Sequence, residues 1–173
     1  VAKRAKLGIG RSFQLTNVFA KLTVVENVRL AVQSRENIGM IFWKDYTAYP
    51  ELETAAYECI KQVRLESKMN NEAGALTHGE QRKLEIAILL ALNPSVLLLD
   101  EPTAGMSLED VPAILDILEE IKSQKNRTIL LVEHKFDMIM ALSDSIAVLQ
   151  DGKIICDDTP QNVSQNKIVM DAY

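Results

Sequence analysis

Apolar positions change their spacing along this chain, and each change marks an element. Around Leu7–Phe13, Ile9 and Phe13 stand among Gly8 and Gly10, which predicts a short strand ending at Gln14. A helix is expected from about Val24 to Gln33. Thr23 and Glu26 stand three apart at its start, so each side chain can take a free backbone N–H of the first turn. The stretch Ser34–Pro50 is irregular and holds Met40, Ile41, Phe42, Trp43, Tyr46 and Tyr49. A further helix is expected from Glu51 to about Leu65, followed by a polar loop, Glu66–Ala75. Thr77 and Glu80 repeat the Thr-x-x-Glu signal and predict a helix to about Leu92, stopped by Pro94.

The second half alternates strand and helix. Val96–Leu99 is a continuous apolar run, as expected of a strand buried on both faces. Ser107 can cap a helix over about Leu108–Ser123, where Ile114, Leu115, Leu118 and Ile121 recur at helical spacing. Thr128–Val132 reads as a second buried strand, and Phe136–Leu142 as a helix. Ile146–Leu149 and Lys153–Cys156 flank Asp151-Gly152, a two-residue hairpin signal. Thr159-Pro160 opens a last helix. This alternation predicts an α/β core with a parallel sheet, and the block at about Leu15–Leu92 reads as a helical insertion into it.

Composition narrows the function classes. With 47% apolar and 25% charged residues, the chain is that of a globular protein with a real core. Its net charge is −5 and it has no basic run, which argues against a direct nucleic-acid binder. The longest apolar runs, Ile86–Leu92 and Val96–Leu99, are far short of the roughly 18 residues of a membrane span. A membrane link is therefore expected to go through a partner. Cys59 and Cys156 lack metal-ligand spacing and are expected to be reduced thiols. Val1–Gln14 reads like the middle of a domain, as in a fragment.

Four places carry candidate chemistry. Leu97-Leu98-Leu99-Asp100-Glu101-Pro102 is an apolar strand ending in two carboxylates. Ligands gather at the carboxyl ends of parallel strands. There Asp100 can hold Mg²⁺, and Glu101 can orient or deprotonate a water attacking phosphate. Thr77, His78 and Gly79 lie at the start of a capped helix, where free N–H groups and the helix dipole favour phosphate. His134 follows the next strand and can reach a phosphate from the same edge. Gln14 ends the first strand, and its amide can bind Mg²⁺ or water.

In their order and character, these sites resemble the ABC ATPases. Leu76-Thr77-His78-Gly79-Glu80 looks like the family signature, usually LSGGQ, and Leu97–Glu101 like the Walker B strand with the catalytic Glu. Ala104-Gly105-Met106-Ser107 falls at the D-loop, His134 at the switch histidine and Phe13-Gln14 at the Q-loop. The resemblance covers nearly the whole chain. It implies a P-loop NTPase-like (RecA-like) α/β fold, with residues 1–14 and 95–173 as core and 15–94 as helical subdomain, together one incomplete domain. It also implies the roles. Asp100 would help hold Mg²⁺, Glu101 would polarise the attacking water and His134 would contact the γ-phosphate of ATP. Gln14 would sense Mg²⁺ and link the site to the membrane partner. Thr77, His78 and Gly79 would cover ATP held by the opposite subunit of a head-to-tail dimer, and Ser107 would sit near the nucleotide. Thr77, His78 and Glu80 replace the usual Ser, Gly and Gln, and Ser107 replaces the usual Asp. Glu80 brings a negative charge close to a phosphate site.

Gly8–Gln14, Leu22–Val28, Glu80–Ile86, Thr103–Ser107 and Val169–Tyr173 look most like the ATP-binding subunits of branched-chain amino-acid importers. Urea and lipopolysaccharide transport ATPases carry similar motifs. The implied partners are permease subunits, a second ATP-binding subunit and, indirectly, a periplasmic or extracellular solute-binding protein. The implied location is cytoplasmic, on the inner face of the membrane. Thr16–Phe19 and Met40–Tyr49 are the candidate permease contacts. The rival readings are a soluble ABC ATPase without a permease and a scaffold or regulatory module without a P-loop.

The pattern G-x-x-x-x-G-K-[ST] does not occur. In the family it precedes the Q-loop, so it is expected ahead of Val1, together with the adenine-stacking aromatic. That loop supplies most donors to the β- and γ-phosphates. Titration calorimetry of the 173-residue chain is therefore expected to show no micromolar Mg-ATP binding, and micromolar binding would refute this.

Overall fold

The computed structural model describes residues 7–12, 18–36, 38 and 50–172. Two compact units emerge, Val1–Val132 and Glu133–Tyr173.

The first unit is built on a parallel sheet. Strand β1 (Ile9–Arg11) and strand β3 (Thr128–Val132) flank strand β2 (Val96–Asp100). The register pairs Ile9 with Val96, Leu98 with Leu130 and Asp100 with Val132. β1 is shorter than its apolar pattern predicts, and Phe13 and Gln14 lie outside the described residues. Gly10 lets β1 run close to the turn before β2, since a Cβ there would sit 2.9 Å from Pro94 Cγ.

β2 and β3 form where the apolar runs predict them, but the expected burial is wrong for β3. Leu97 and Leu99 of β2 are buried, whereas Leu130 and Val132 are more than half exposed, at 57% and 54%. Alternation explains the difference. β3 stands at the edge of the described sheet, and its even-numbered residues share a face that the described structure leaves largely open.

Three helices follow the capping and periodicity signals. Helix α1 (Val24–Arg35) and helix α3 (His78–Ala91) each start on the reciprocal Thr/Glu box, Thr23 with Glu26 and Thr77 with Glu80. Hydrogen bonds from the Thr23 backbone and hydroxyl hold the Glu26 carboxyl below its usual range. Helix α2 (Pro50–Gln62) opens on proline and ends three residues before the expected Leu65, with Arg64 in the left-handed region at φ 59°. These helices pack on one another through Val24, Val28, Leu52, Ala56, Ile60 and Leu84, all at most 2% exposed. α3 ends before Asn93, at φ 48°, and Pro94. Helix α4 (Val111–Ser123) buries the stripe Ile114, Ile117, Leu118 and Ile121. It begins later than expected. Asp110, not Ser107, is its N-cap residue, because Ser107 is engaged in the turn before it.

The second unit holds helix α5 (Phe136–Leu142), the antiparallel strands β4 (Ile146–Gln150) and β5 (Lys153–Asp158), and helices α6 (Pro160–Gln165) and α7 (Lys167–Ala172). Asp151 and Gly152 both have positive φ, as the two-residue hairpin demands. The single last helix expected after Pro160 is broken at Asn166. Its side chain donates to Cys156 Sγ and accepts from the Ile168 N–H. Ile146, Val148, Val163 and Val169 form this unit's core.

Asn27 is the polar keystone of the helical part. It is 2% exposed. Its amide donates to the carbonyls of Phe19, Leu22 and Thr23 and accepts from the Phe19 N–H at 2.8 Å. Removing it takes the acceptor from the Phe19 N–H and one donor from each of the three carbonyls, which keep their backbone partners. Asn27→Ala is therefore expected to lower stability by about 1–2 kcal/mol in urea unfolding, and a loss under about 0.5 kcal/mol would contradict this role.

Candidate functional site

The candidate site is built where β2 ends. Asp100 closes the strand and Glu101 follows it, at the carboxyl edge of the central strand. The Asp100 N–H donates to the hydroxyl of Ser12, a buried residue whose own N–H donates to Leu98 O. The Asp100 carboxylate lies 3.5 Å from the Arg11 guanidinium, and its side chain is 30% exposed. Glu101 extends the ladder one residue further, its N–H donating to Val132 O at 2.8 Å. Its φ is 45°, a conformation that costs energy for a non-glycine residue and persists only where the surroundings impose it.

The capped start of α3 supplies the second part. The Thr77 hydroxyl accepts from the Glu80 N–H, and Glu80 Oε2 accepts from the Thr77 N–H at 2.9 Å. The other Glu80 oxygen is 3.7 Å from Lys68 Nζ. The charge expected to disturb a phosphate site is thus engaged by the cap and a lysine. Thr77 and His78 are exposed, while Gly79 is buried.

Two contacts join these parts, and neither follows from the motif pattern alone. A Cβ on Gly79 would lie 2.9 Å from Asp110 Cγ. The Asp110 carboxylate accepts from the Ser107 hydroxyl at 2.7 Å. The turn after β2 therefore touches the start of α3 through Asp110, with Ser107 orienting it. Arg82, one turn along α3, reaches the carbonyls of Asp100, Glu101 and Pro102. The signal for Arg82 was present in the sequence: Arg82 and Glu85 are a charged pair three apart, on a helix that is otherwise apolar around Leu84, Ile86 and Ala87. Asp110 and Arg11 carry no comparable sequence signal.

His134 belongs to the second unit, where it is exposed and its N–H donates to Glu133 Oε2 at 3.2 Å. Gln14 and the Met40–Tyr49 stretch lie outside the described residues, as do Thr16 and Asn17 of the Thr16–Phe19 stretch. Burial pushes the Cys59 thiol above its ordinary range, which disfavours thiolate chemistry there.

Among the described residues, no group of three or more His, Cys, Asp and Glu could enclose a metal ion. One partly exposed carboxylate at a strand end suits a hard cation that takes its remaining ligands from phosphate and water, as Mg²⁺ does. Asp100 fits that limited role.

Residues 2–104 match the ABC transporter family model. The chain is 34% identical over 176 aligned residues to the high-affinity branched-chain amino acid transport ATP-binding protein BraF of Pseudomonas aeruginosa, covering 99% of this chain and 69% of that protein. It is 32% identical to the corresponding protein LivG of Escherichia coli K12, covering 98% and 68%. Among solved structures, the ADP conformation of MJ1267, an ATP-binding cassette of an ABC transporter, aligns with a TM-score of 0.78 at 25% identity, over 99% of this chain and 70% of that one. A dimeric post-hydrolysis state of the ATP-binding cassette MJ0796, bound to ADP and Pi, aligns with a TM-score of 0.69 at 27% identity, over 88% and 62%.

The Gly79–Asp110 contact yields a double-mutant cycle. Gly79→Ala alone is expected to destabilise by about 1–2 kcal/mol through overpacking. In an Asp110→Ala background the same change is expected to stabilise by about 0.5–1 kcal/mol, because alanine is the better helix former. Thermal melts of the four proteins measure both, and equal effects in the two backgrounds would rule out the contact.

Proposed function

This chain belongs to the ABC transporter family, and we propose that it serves as the ATP-binding, ATP-hydrolysing subunit of an importer for branched-chain amino acids. The observation that carries the reading is the adjacent pair Asp100 and Glu101 at the carboxyl edge of the central parallel strand. The 34% and 32% identities to BraF and LivG favour that substrate class.

In this reading each residue has a task set by its chemistry. Asp100 would hold Mg²⁺ together with phosphate oxygens, and the ion would offset charge on the β- and γ-phosphates. Glu101 accepts a hydrogen bond from the attacking water and orients its lone pair toward the γ-phosphorus. His134 donates to a γ-phosphate oxygen. Gln14, by its match to the Q-loop, would sense Mg²⁺ and link the site to the permease. Thr77, His78 and Gly79 meet the ATP of a second subunit: the Thr77 hydroxyl, having accepted from the cap, still has its proton to give. The N–H groups at the start of α3 and the helix dipole add to that attraction. Ser107 supports this surface through Asp110.

The partners in this reading are membrane permease subunits, a second ATP-binding subunit and, through the permease, a solute-binding protein. No described helix is long and apolar enough to cross a membrane, and the inner-face location follows from docking on the permease. The chain itself contains no G-x-x-x-x-G-K-[ST] loop. We therefore propose that these 173 residues alone do not turn over ATP.

The test is turnover by the transporter reconstituted in vesicles from the complete gene product. Glu101→Gln keeps size and hydrogen bonding but removes the basic oxygen, and is expected to cut ATP hydrolysis by about 10²-fold or more with nucleotide binding intact. Hydrolysis at the unmodified rate would exclude Glu101 from the chemistry.

A further inference from the structure

Arg82 and Glu85 lie three residues apart on α3, with side chains only 11% and 8% exposed and a separation of 2.5 Å. A buried ion pair is an expensive way to stabilise a helix, since desolvation offsets much of the attraction. The rest of the guanidinium's hydrogen bonding explains its position. Nε donates to Pro102 O at 2.8 Å, and Nη2 donates to Asp100 O at 3.2 Å and to Glu101 O at 3.1 Å. One planar cation thus gathers three consecutive carbonyls, while Glu85 holds Nη1.

The middle carbonyl belongs to Glu101, whose backbone is in the left-handed region. Peptide groups there are fixed from two sides. The Glu101 N–H is tied to Val132 O on β3, and the carbonyls on either side of the residue are tied to α3. Neither bond alone fixes both φ and ψ.

We propose that Arg82, held by Glu85, is a positioning residue that imposes the strained backbone of Glu101 and thereby aims its carboxylate. A lysine cannot substitute: its single ammonium can pair with Glu85 but cannot span three carbonyls in the plane of a guanidinium. Any shift of the start of α3 is transmitted to the Glu101 backbone through the same side chain. The consequence for ATP turnover rests on the function proposed above; the consequence for the backbone does not.

Two variants of the chain test this, Arg82→Lys and the double change Arg82→Met with Glu85→Leu, which leaves no uncompensated buried charge. Amide hydrogen exchange is read over 100–104, with Val24–Arg35 as the internal control. Expected is exchange about tenfold or more faster over 100–104 in both variants, with the control unchanged. Equal exchange over 100–104 in Arg82→Lys overturns the proposal, and so does a loss of protection spread equally over the control. Arg82→Lys decides the matter even if the double variant does not fold. In the complete transporter, Arg82→Lys is expected to lower kcat about tenfold or more and leave KM for ATP within about twofold. Faster loop exchange with unaltered kcat overturns the aiming role. Faster loop exchange in a protein whose unmodified form hydrolyses no ATP overturns the function reading and leaves the backbone role standing.

Discussion

β2 is hydrogen-bonded along both edges, to β1 and to β3, and the position of the two candidate carboxylates depends on that pairing. Without it Asp100 and Glu101 would be two acids in a loop, repelling one another and free to turn to solvent. With it, the Asp100 and Glu101 N–H groups are occupied by Ser12 and Val132. The chain must leave the sheet at a defined point, and it leaves through a strained residue. The buried Leu97 and Leu99 anchor one face of the strand, so a register slip would bury the acid and expose the leucines.

Much of this was legible beforehand because the signals are local. Capping boxes act over three residues, the hairpin turn over two, and an apolar run declares a strand by itself. Each of these appeared where its residues predicted it. What the chain did not disclose depends on neighbours distant in sequence. The exposure of Leu130 and Val132 follows from β3 lying at an edge, which no run of five residues can announce. The late start of α4 follows from Ser107 and Asp110 bonding to each other in the preceding turn. The break at Asn166 comes from a side chain that prefers Cys156 Sγ and a backbone N–H to continuing a helix.

The site shows the same division. The acids and the signature turn were named by their motifs and positions. The groups that hold them, Arg82, Ser12 and Asp110, act through carbonyls, hydroxyls and close packing, and such roles have no spacing rule. Arg82 is the intermediate case. A charge pair on an apolar helix is visible as an anomaly, but only the fold reveals that it faces the carbonyls after β2. The substitutions in the signature turn also read differently once folded. Glu80 departs from the family's glutamine, yet its oxygens serve the cap and Lys68.

The open side of β3 has a practical corollary. A terminal strand of the described sheet, with Leu130 and Val132 turned outward, offers backbone donors, backbone acceptors and greasy side chains in one place. Strands of that kind template the addition of further strands. Purified at high concentration, this polypeptide would be governed by a contest between staying dispersed and stacking copy upon copy. The net charge of −5 supplies the opposing repulsion, which added salt would weaken.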